Sequence, residues 1–193
     1  MAVLMDIVGA LVMVGMLILM VMGININMSQ ETYKGLTELN LHSQSIQLSR
    51  IFEFDLYKMG YAVSKPGIIA IAETARIKFY SNLFNIPGRR DSVEYNLGTM
   101  VPSSTNPRDR ALYRFENTTQ VFINFSVTRF KLSYYNGNDS LLGAPVTGSL
   151  RDSIKSVRIY LTLESPEPFD TSRTGGPSYI STFYQKLIYP RNL

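Results

Sequence analysis

The chemistry available to this sequence is bounded first by what it lacks. It contains no cysteine and a single histidine, His42, which removes thiol nucleophiles, disulfides, His-based catalytic triads and Cys/His zinc sites from consideration. Glu53 and Asp55 are close in sequence, but two residues apart on a helix they face different ways and do not form a paired-carboxylate site. Gly175-Gly176 lacks the strand, lysine and helix that make a glycine loop a phosphate cradle. Oxygen donors gather at Asn82, Asn85 and Asp91, where Arg89 and Arg90 oppose a calcium ion, and at Asn136, Asn138 and Asp139, which read as an Asn-Gly turn. The expectation is a protein without catalytic residues, metal or cofactor. Four Asn-X-Ser/Thr acceptor patterns, at Asn27, Asn117, Asn124 and Asn138, are short enough to occur by chance.

One titratable group stands out by its surroundings. Asp6 lies in MAVLMDIVGALVMVGMLILMVMGI, Met1 to Ile24, which holds no other charge. As a helix such a run rises about 36 Å, enough to cross the ~30 Å hydrocarbon core of a bilayer. A carboxylate there costs about 2.5–3.5 kcal/mol on insertion scales and needs a partner or an interfacial, solvated position. No Lys or Arg precedes the run, and no small-residue cleavage pattern follows it. The expectation is that it is retained, with Met1 a mature N-terminus from which a short basic leader has been removed.

The elements that position Asp6 follow from periodicity. No proline occurs before Pro66, and Leu41, Leu48, Phe52, Leu56 and Met59 are spaced by 7, 4, 4 and 3 residues, one stripe of a helix. Glu38, Ser43, Gln47, Arg50 and Glu53 form the polar side. The apolar run therefore continues as one long amphipathic helix to Gly60-Tyr61, with Gly15 and Gly23 as points of flexibility, each costing about 1 kcal/mol relative to Ala. Beyond Lys65-Pro66-Gly67 the period changes to two. Strands are expected at Ile68–Ala72, Ala75–Tyr80, Ser92–Leu97, Ala111–Glu116, Val127–Tyr135, Ile154–Leu163 and Tyr179–Ile188. Val121–Asn124 reads as a short helical or extended connector, Thr99–Asp109 as an exposed loop and Ser165–Pro177 as a flexible one. With 12 Tyr and 10 Phe, the chain favours aromatic cross-strand pairs. The fold class is α+β: a long N-terminal helix, membrane-spanning in its first half and amphipathic in its second, packed against a C-terminal antiparallel sheet.

This layout resembles type IV pilin-like proteins, and within them the minor pilins and J-type pseudopilins of type II secretion. The residues that carry the likeness are Leu56-Tyr57-Lys58-Met59-Gly60-Tyr61, Ala75 to Leu83 (ARIKFYSNL) and the closing Pro190-Arg191-Asn192-Leu193, besides the helix itself. The resemblance implies that a prepilin peptidase removes a basic leader, that the new N-terminal amine is usually methylated, and that an acid near mature position five pairs with a neighbouring subunit's amine. Met1 and Asp6 are the nearest matches, although the acid is Asp instead of Glu and stands sixth from Met1.

The expected organisation is residues 1–27 as transmembrane and filament-core helix, 28–61 as its amphipathic continuation, and 62–193 as the β-sheet domain. The expected function is that of a structural filament subunit. It waits in the inner membrane, then polymerises with identical or related pilin subunits through the assembly machinery, and ends at the cell surface. The alternative is a non-polymerising, single-pass anchored domain that binds a surface or partner outside the cytoplasm. Adhesion, motility, DNA uptake and export share this scaffold. The net charge of +4 is spread along the chain, so nucleic acid is not an expected partner.

Overall fold

The computed structural model describes residues 2–64, 66–170 and 176–193. Its elements are one helix, α1 (Ala2–Tyr57), then β1 (Ile69–Ala72), β2 (Arg76–Ser81), β3 (Asp91–Met100), β4 (Arg110–Glu116), β5 (Thr119–Tyr135), β6 (Leu141–Leu142), a 3-10 helix at Gly148–Ser153, β7 (Ser156–Glu164) and β8 (Ser181–Ile188). The chain divides into two compact units, residues 1–39 and 40–193.

In the first unit the early part of α1 is built from Leu, Met, Ala, Val and Ile without proline. Every large apolar side chain from Val3 to Met28 is 52% to 80% exposed. A helix apolar all round belongs in lipid or among other helices. Among the described residues α1 is the one helix long and apolar enough to cross a membrane. Thr32 and Thr37 donate their hydroxyls back to the carbonyls of Met28 and Tyr33, so the start of the polar stretch satisfies itself locally.

In the second unit residues 40–57 of α1 lie on an antiparallel sheet ordered β1-β2-β3-β4-β5-β7-β8, with β6 pairing β5. Leu41, Leu48, Phe52, Leu56 and Met59 are each at most 3% exposed and enter one core with Ile77, Phe79, Val93, Tyr95, Leu112, Phe130, Leu132, Ile159 and Leu161. Phe52 is central: its ring is 4.5 Å from that of Tyr95 and 5.3 Å from that of Phe130. Fully burying one such side chain contributes about 1.5–3 kcal/mol. The strands alternate as a sheet with one covered face must; β7, for example, buries Val157, Ile159, Leu161 and Leu163 and half-exposes Arg158, Tyr160 and Thr162.

Three expectations are corrected. The α-helix ends at Tyr57 instead of Gly60-Tyr61, because the chain reverses through positive φ at Gly60 (75°) and Ala62 (52°). Val121–Asn124 is extended, as one of its two readings had it, but it belongs to a strand and is no connector: a tight turn at Asn117-Thr118 returns the chain directly against β4, so β5 runs 17 residues and pairs first with β4, then with β7. A register shift in each pairing, between Arg110 and Leu112 on β4 and between Val127 and Arg129 on β5, marks the changeover. The stretch Thr99–Asp109 is not simply exposed, since Asn106 and Asp109 are buried. The Asn106 amide donates to Glu164 Oε2 at 3.0 Å and to the Ser165 carbonyl at 3.2 Å, which ties this loop to the end of β7. Of the Ser165–Pro177 loop, residues 171–175 lie outside the described residues, while Asp170 bridges Ser178.

Candidate functional site

In the first unit Asp6 is exposed on α1. Its neighbours one turn on, at i+3 and i+4, are Gly9 and Ala10, and a Cβ built on Gly9 meets nothing within 4 Å. A carboxylate beside two of the smallest residues is a place where another helix can approach closely and present a cation. Met1 lies outside the described residues. Gly15 and Gly23 sit within α1, and an added Cβ at either would be in open space.

In the second unit the inner side of the helix carries a charge that periodicity did not reveal. Asp55 is 1% exposed among the core residues. Arg114 of β4 grips it with two bonds, Nε to Oδ2 at 2.7 Å and Nη2 to Oδ1 at 3.1 Å, and Tyr95 of β3 donates its hydroxyl to Oδ2 at 2.5 Å. Arg114 Nη1 also donates to Glu116 at 2.9 Å. Burial and the adjacent Asp55 carboxylate push the Tyr95 phenol well above its ordinary value, so it stays a donor. For Arg114 burial works against the charge, but Asp55 outweighs it and raises the guanidinium further. The group is a hydrogen-bonded structural lock between the helix and the sheet.

Glu53, two residues earlier, faces β8, where it takes hydrogen bonds from Lys186 at 2.7 Å and Tyr184 at 2.8 Å. The Lys186 bond holds its carboxyl below the usual range against the opposing effect of burial. The two acids thus point to different strands and make no paired site. His42 is exposed on α1.

The two ends of the sequence pattern meet at the helix exit. Asn192 donates to the Met59 carbonyl at 3.3 Å, Ser81 to the Lys58 carbonyl at 2.7 Å, Lys58 Nζ to the Leu83 carbonyl, and Gly60 N–H to the Tyr80 carbonyl at 2.9 Å. A Cβ on Gly60 would stand 3.0 Å from both the Asn192 carbonyl oxygen and Ile68 Cδ1. The turn that follows the helix is therefore held by β2, through Ser81 on the Lys58 carbonyl, and by Asn192 on the Met59 carbonyl. Phe54, Tyr57, Lys58, Tyr61, Arg191 and Asn192 line a shallow groove of about 610 Å³ on this side.

With this arrangement, the chain is similar to a solved type IV-like pilin from Thermus thermophilus, at 12% identity and a TM-score of 0.53 over 79% of this chain and 96% of that one. The fold is that of a type IV-like pilin. No protein-family model and no curated protein matches the sequence.

Within the pilin fold the segments carrying the sequence resemblance, Leu56–Tyr61, Ala75–Leu83 and Pro190–Leu193, are the ones brought together at the helix exit. The Asn82–Asp91 loop is closed by its own groups: Asn82 bonds both the N–H and the carbonyl of Ile86. Asp91 accepts from Arg89 at 2.7 Å, Asn117 at 2.9 Å and the Leu83 N–H at 3.2 Å. Asn136 organises the other oxygen cluster as a turn, its side-chain oxygen accepting the N–H groups of Asn138 and Ser140. Of the glycosylation patterns, the Asn117 amide is committed to Asp91 and Ser92, Asn27 and Asn138 are exposed, and the Asn124 side chain lies outside the described residues.

Proposed function

We propose that this chain is a structural, non-enzymatic subunit of a type IV pilus-like surface filament. The observation that carries the reading is the stretch of α1 over residues 3–28: apolar, its large side chains exposed, and interrupted by a single carboxylate, in a chain with the type IV-like pilin fold. Before assembly the helix resides in the inner membrane. On assembly it exchanges lipid for the helices of identical or related subunits, so its apolar surface never meets water. Asp6 compensates the N-terminal amine of a neighbouring subunit, with Met1 supplying that amine, and so sets the axial register. Buried without a cation, the carboxylate would strongly disfavour packing. Gly15 and Gly23 give the helix local freedom while it leaves the bilayer, and the stripe from Leu41 to Met59 holds the β-domain on it. Prepilin peptidase and a pilus assembly machinery are the partners this reading requires.

The test is Asp6→Ala, expressed with the assembly machinery. The variant is expected to fractionate with the membrane as the parent does and to yield no fibres, with Asp6→Glu restoring them. Abundant normal fibres from Asp6→Ala would overturn the role of Asp6. A parent chain that stays in the membrane and never enters a fibre would favour the anchored, non-polymerising alternative.

A further inference from the structure

The sheet has two outer edges, β1 and β8, and they are finished differently. The edge at β1 is capped: the Val146 N–H donates to the Ala72 carbonyl at 2.9 Å, and Arg151 Nη1 donates to the Ala70 carbonyl. The edge at β8 has no such cover among the described residues. β8 pairs with β7 from Ser181 to Ile188 without a register shift. Just before it, the Ile180 carbonyl accepts the Ser165 N–H at 2.8 Å, so residue 180 turns its backbone groups to the β7 side. Backbone groups alternate along a strand, so Thr182, Tyr184, Lys186 and Ile188 do the same. Ser181, Phe183, Gln185 and Leu187 therefore turn their N–H and C=O groups outwards. The devices that usually blunt an open edge are missing. β8 holds no proline, glycine or bulge, and its one charge, Lys186, is bound to Glu53 at 2.7 Å. Phe183 adds a ring 81% exposed beside this edge.

We infer that β8 of one copy pairs antiparallel with β8 of a second copy, about a two-fold axis at Tyr184, joining two sheets edge to edge. The backbone sets the register. With Tyr184 opposite the partner's Tyr184, Ser181 faces the partner's Leu187 and Phe183 faces the partner's Gln185, so every outward N–H and C=O of both strands is used. A slip of two residues leaves Ser181 or Leu187 of each copy unpaired, and a slip of one sets outward groups against inward ones. The side chains agree with this register. Phe183 lies diagonally across from the partner's Phe183 and the partner's Leu187, within reach of an aromatic ring. Thr182 stands opposite the partner's Lys186, so no charge meets its like. A two-fold contact is self-complementary and needs no second patch. A foreign strand satisfies the same backbone groups, but β8 itself supplies a partner whose length, register and charges match. An axis normal to the sheet reverses residues 40–57 of α1 in the partner. The contact therefore joins copies from opposed filaments or surfaces and does not depend on polymerisation through α1.

The chain has no cysteine, so the pairing is read with introduced ones. Full chains carrying Phe183→Cys and Gln185→Cys are mixed in detergent micelles and mildly oxidised. Opposed residues of a hydrogen-bonded pair stand about 5.5 Å apart at Cα, inside the span of a disulfide, whereas diagonal residues stand about 7–8 Å apart, outside it. The mixture is expected to give roughly tenfold more covalent dimer than either chain alone or than Leu141→Cys, an exposed residue of β6. Association through α1 alone does not set residue 183 against residue 185. In the parent, amide exchange at Phe183 and Gln185 should slow as protein concentration rises, while Tyr184, bonded to β7, stays slow throughout. Gln185→Pro removes an N–H that β7 does not use, so circular dichroism should match the parent while the Phe183 amide loses that protection. The inference is overturned if the mixture crosslinks no better than its components, or if Gln185→Pro keeps the parent's protection at Phe183. Exchange at Phe183 that is independent of concentration would also overturn it and leave the edge to a strand from another protein.

Discussion

A carboxylate 1% exposed, as Asp55 is, needs its charge and both oxygens satisfied inside the core, and Arg114 and Tyr95 do this between them. Removing one partner leaves the other buried and uncompensated, which costs about 3–5 kcal/mol. Arg114→Ala is therefore expected to lower the unfolding free energy by that amount in urea titrations of the β-domain signal, while Asp55→Leu/Arg114→Met recovers most of the loss. Two other acids predict opposite responses to pH. Asp91 is held below its ordinary value because the bonds from Asn117, Arg89 and Leu83 N–H together outweigh the burial that opposes them. Its stabilisation is fully present above about pH 4, the unfolded value, and is lost as pH falls through the lower folded value. Asp91→Asn should flatten the acid limb of the stability profile. Asp109 is raised, chiefly by burial, and its Oδ1 has no hydrogen-bond partner among the described residues. The unfolded chain ionises it first, so stability falls as pH rises from about 4, the unfolded value, through the raised folded value, and Asp109→Asn should stabilise the domain at pH 7 and leave it unchanged well below pH 4. None of this was legible in the sequence: Asp55 sits beside a helical stripe that reads as purely apolar, and its cation is supplied from the opposing sheet, 59 residues on.

At the scale of elements, periodicity was informative wherever one face is buried and the other wet. The stripe Leu41 to Met59 enters the core, and six strands fall within a few residues of their alternating runs, as does the second half of β5. The first part of β5 escaped because its turn, Asn117-Thr118, lacks the glycine that marks a tight hairpin; Asn117 supplies the positive φ (55°) instead. The Thr99–Asp109 loop misled because prolines and serines signal exposure locally, whereas Asn106 is drawn in by acceptors at the end of β7. Two glycine substitutions separate packing from flexibility. Gly60→Ala must adopt φ near +75° with its methyl 3.0 Å from Ile68 and Asn192, so a loss of about 1–3 kcal/mol is expected in urea unfolding. Gly23→Ala meets open space and should stabilise the local helix by about 1 kcal/mol, seen as slower amide exchange from Val21 to Asn27 in micelles.

For the whole molecule, what the sequence made visible was the division of labour: an apolar run with one acid, its amphipathic helical continuation, then strands. The register that gathers Arg129, Lys131 and Arg158 on one sheet face is a property of pairing, which composition averages away into a net charge of +4. A fold shared with a type IV-like pilin leaves the work of this protein to be decided by its exposed surfaces. The central claim is that copies of this chain polymerise, and shearing cells that express it with its assembly machinery tests this most directly. Electron microscopy of the sheared material, with mass spectrometry of the purified fibres, is expected to show thin helical filaments in which this chain is a repeating component. Fibres that lack the chain while it remains wholly in the membrane fraction would contradict the account.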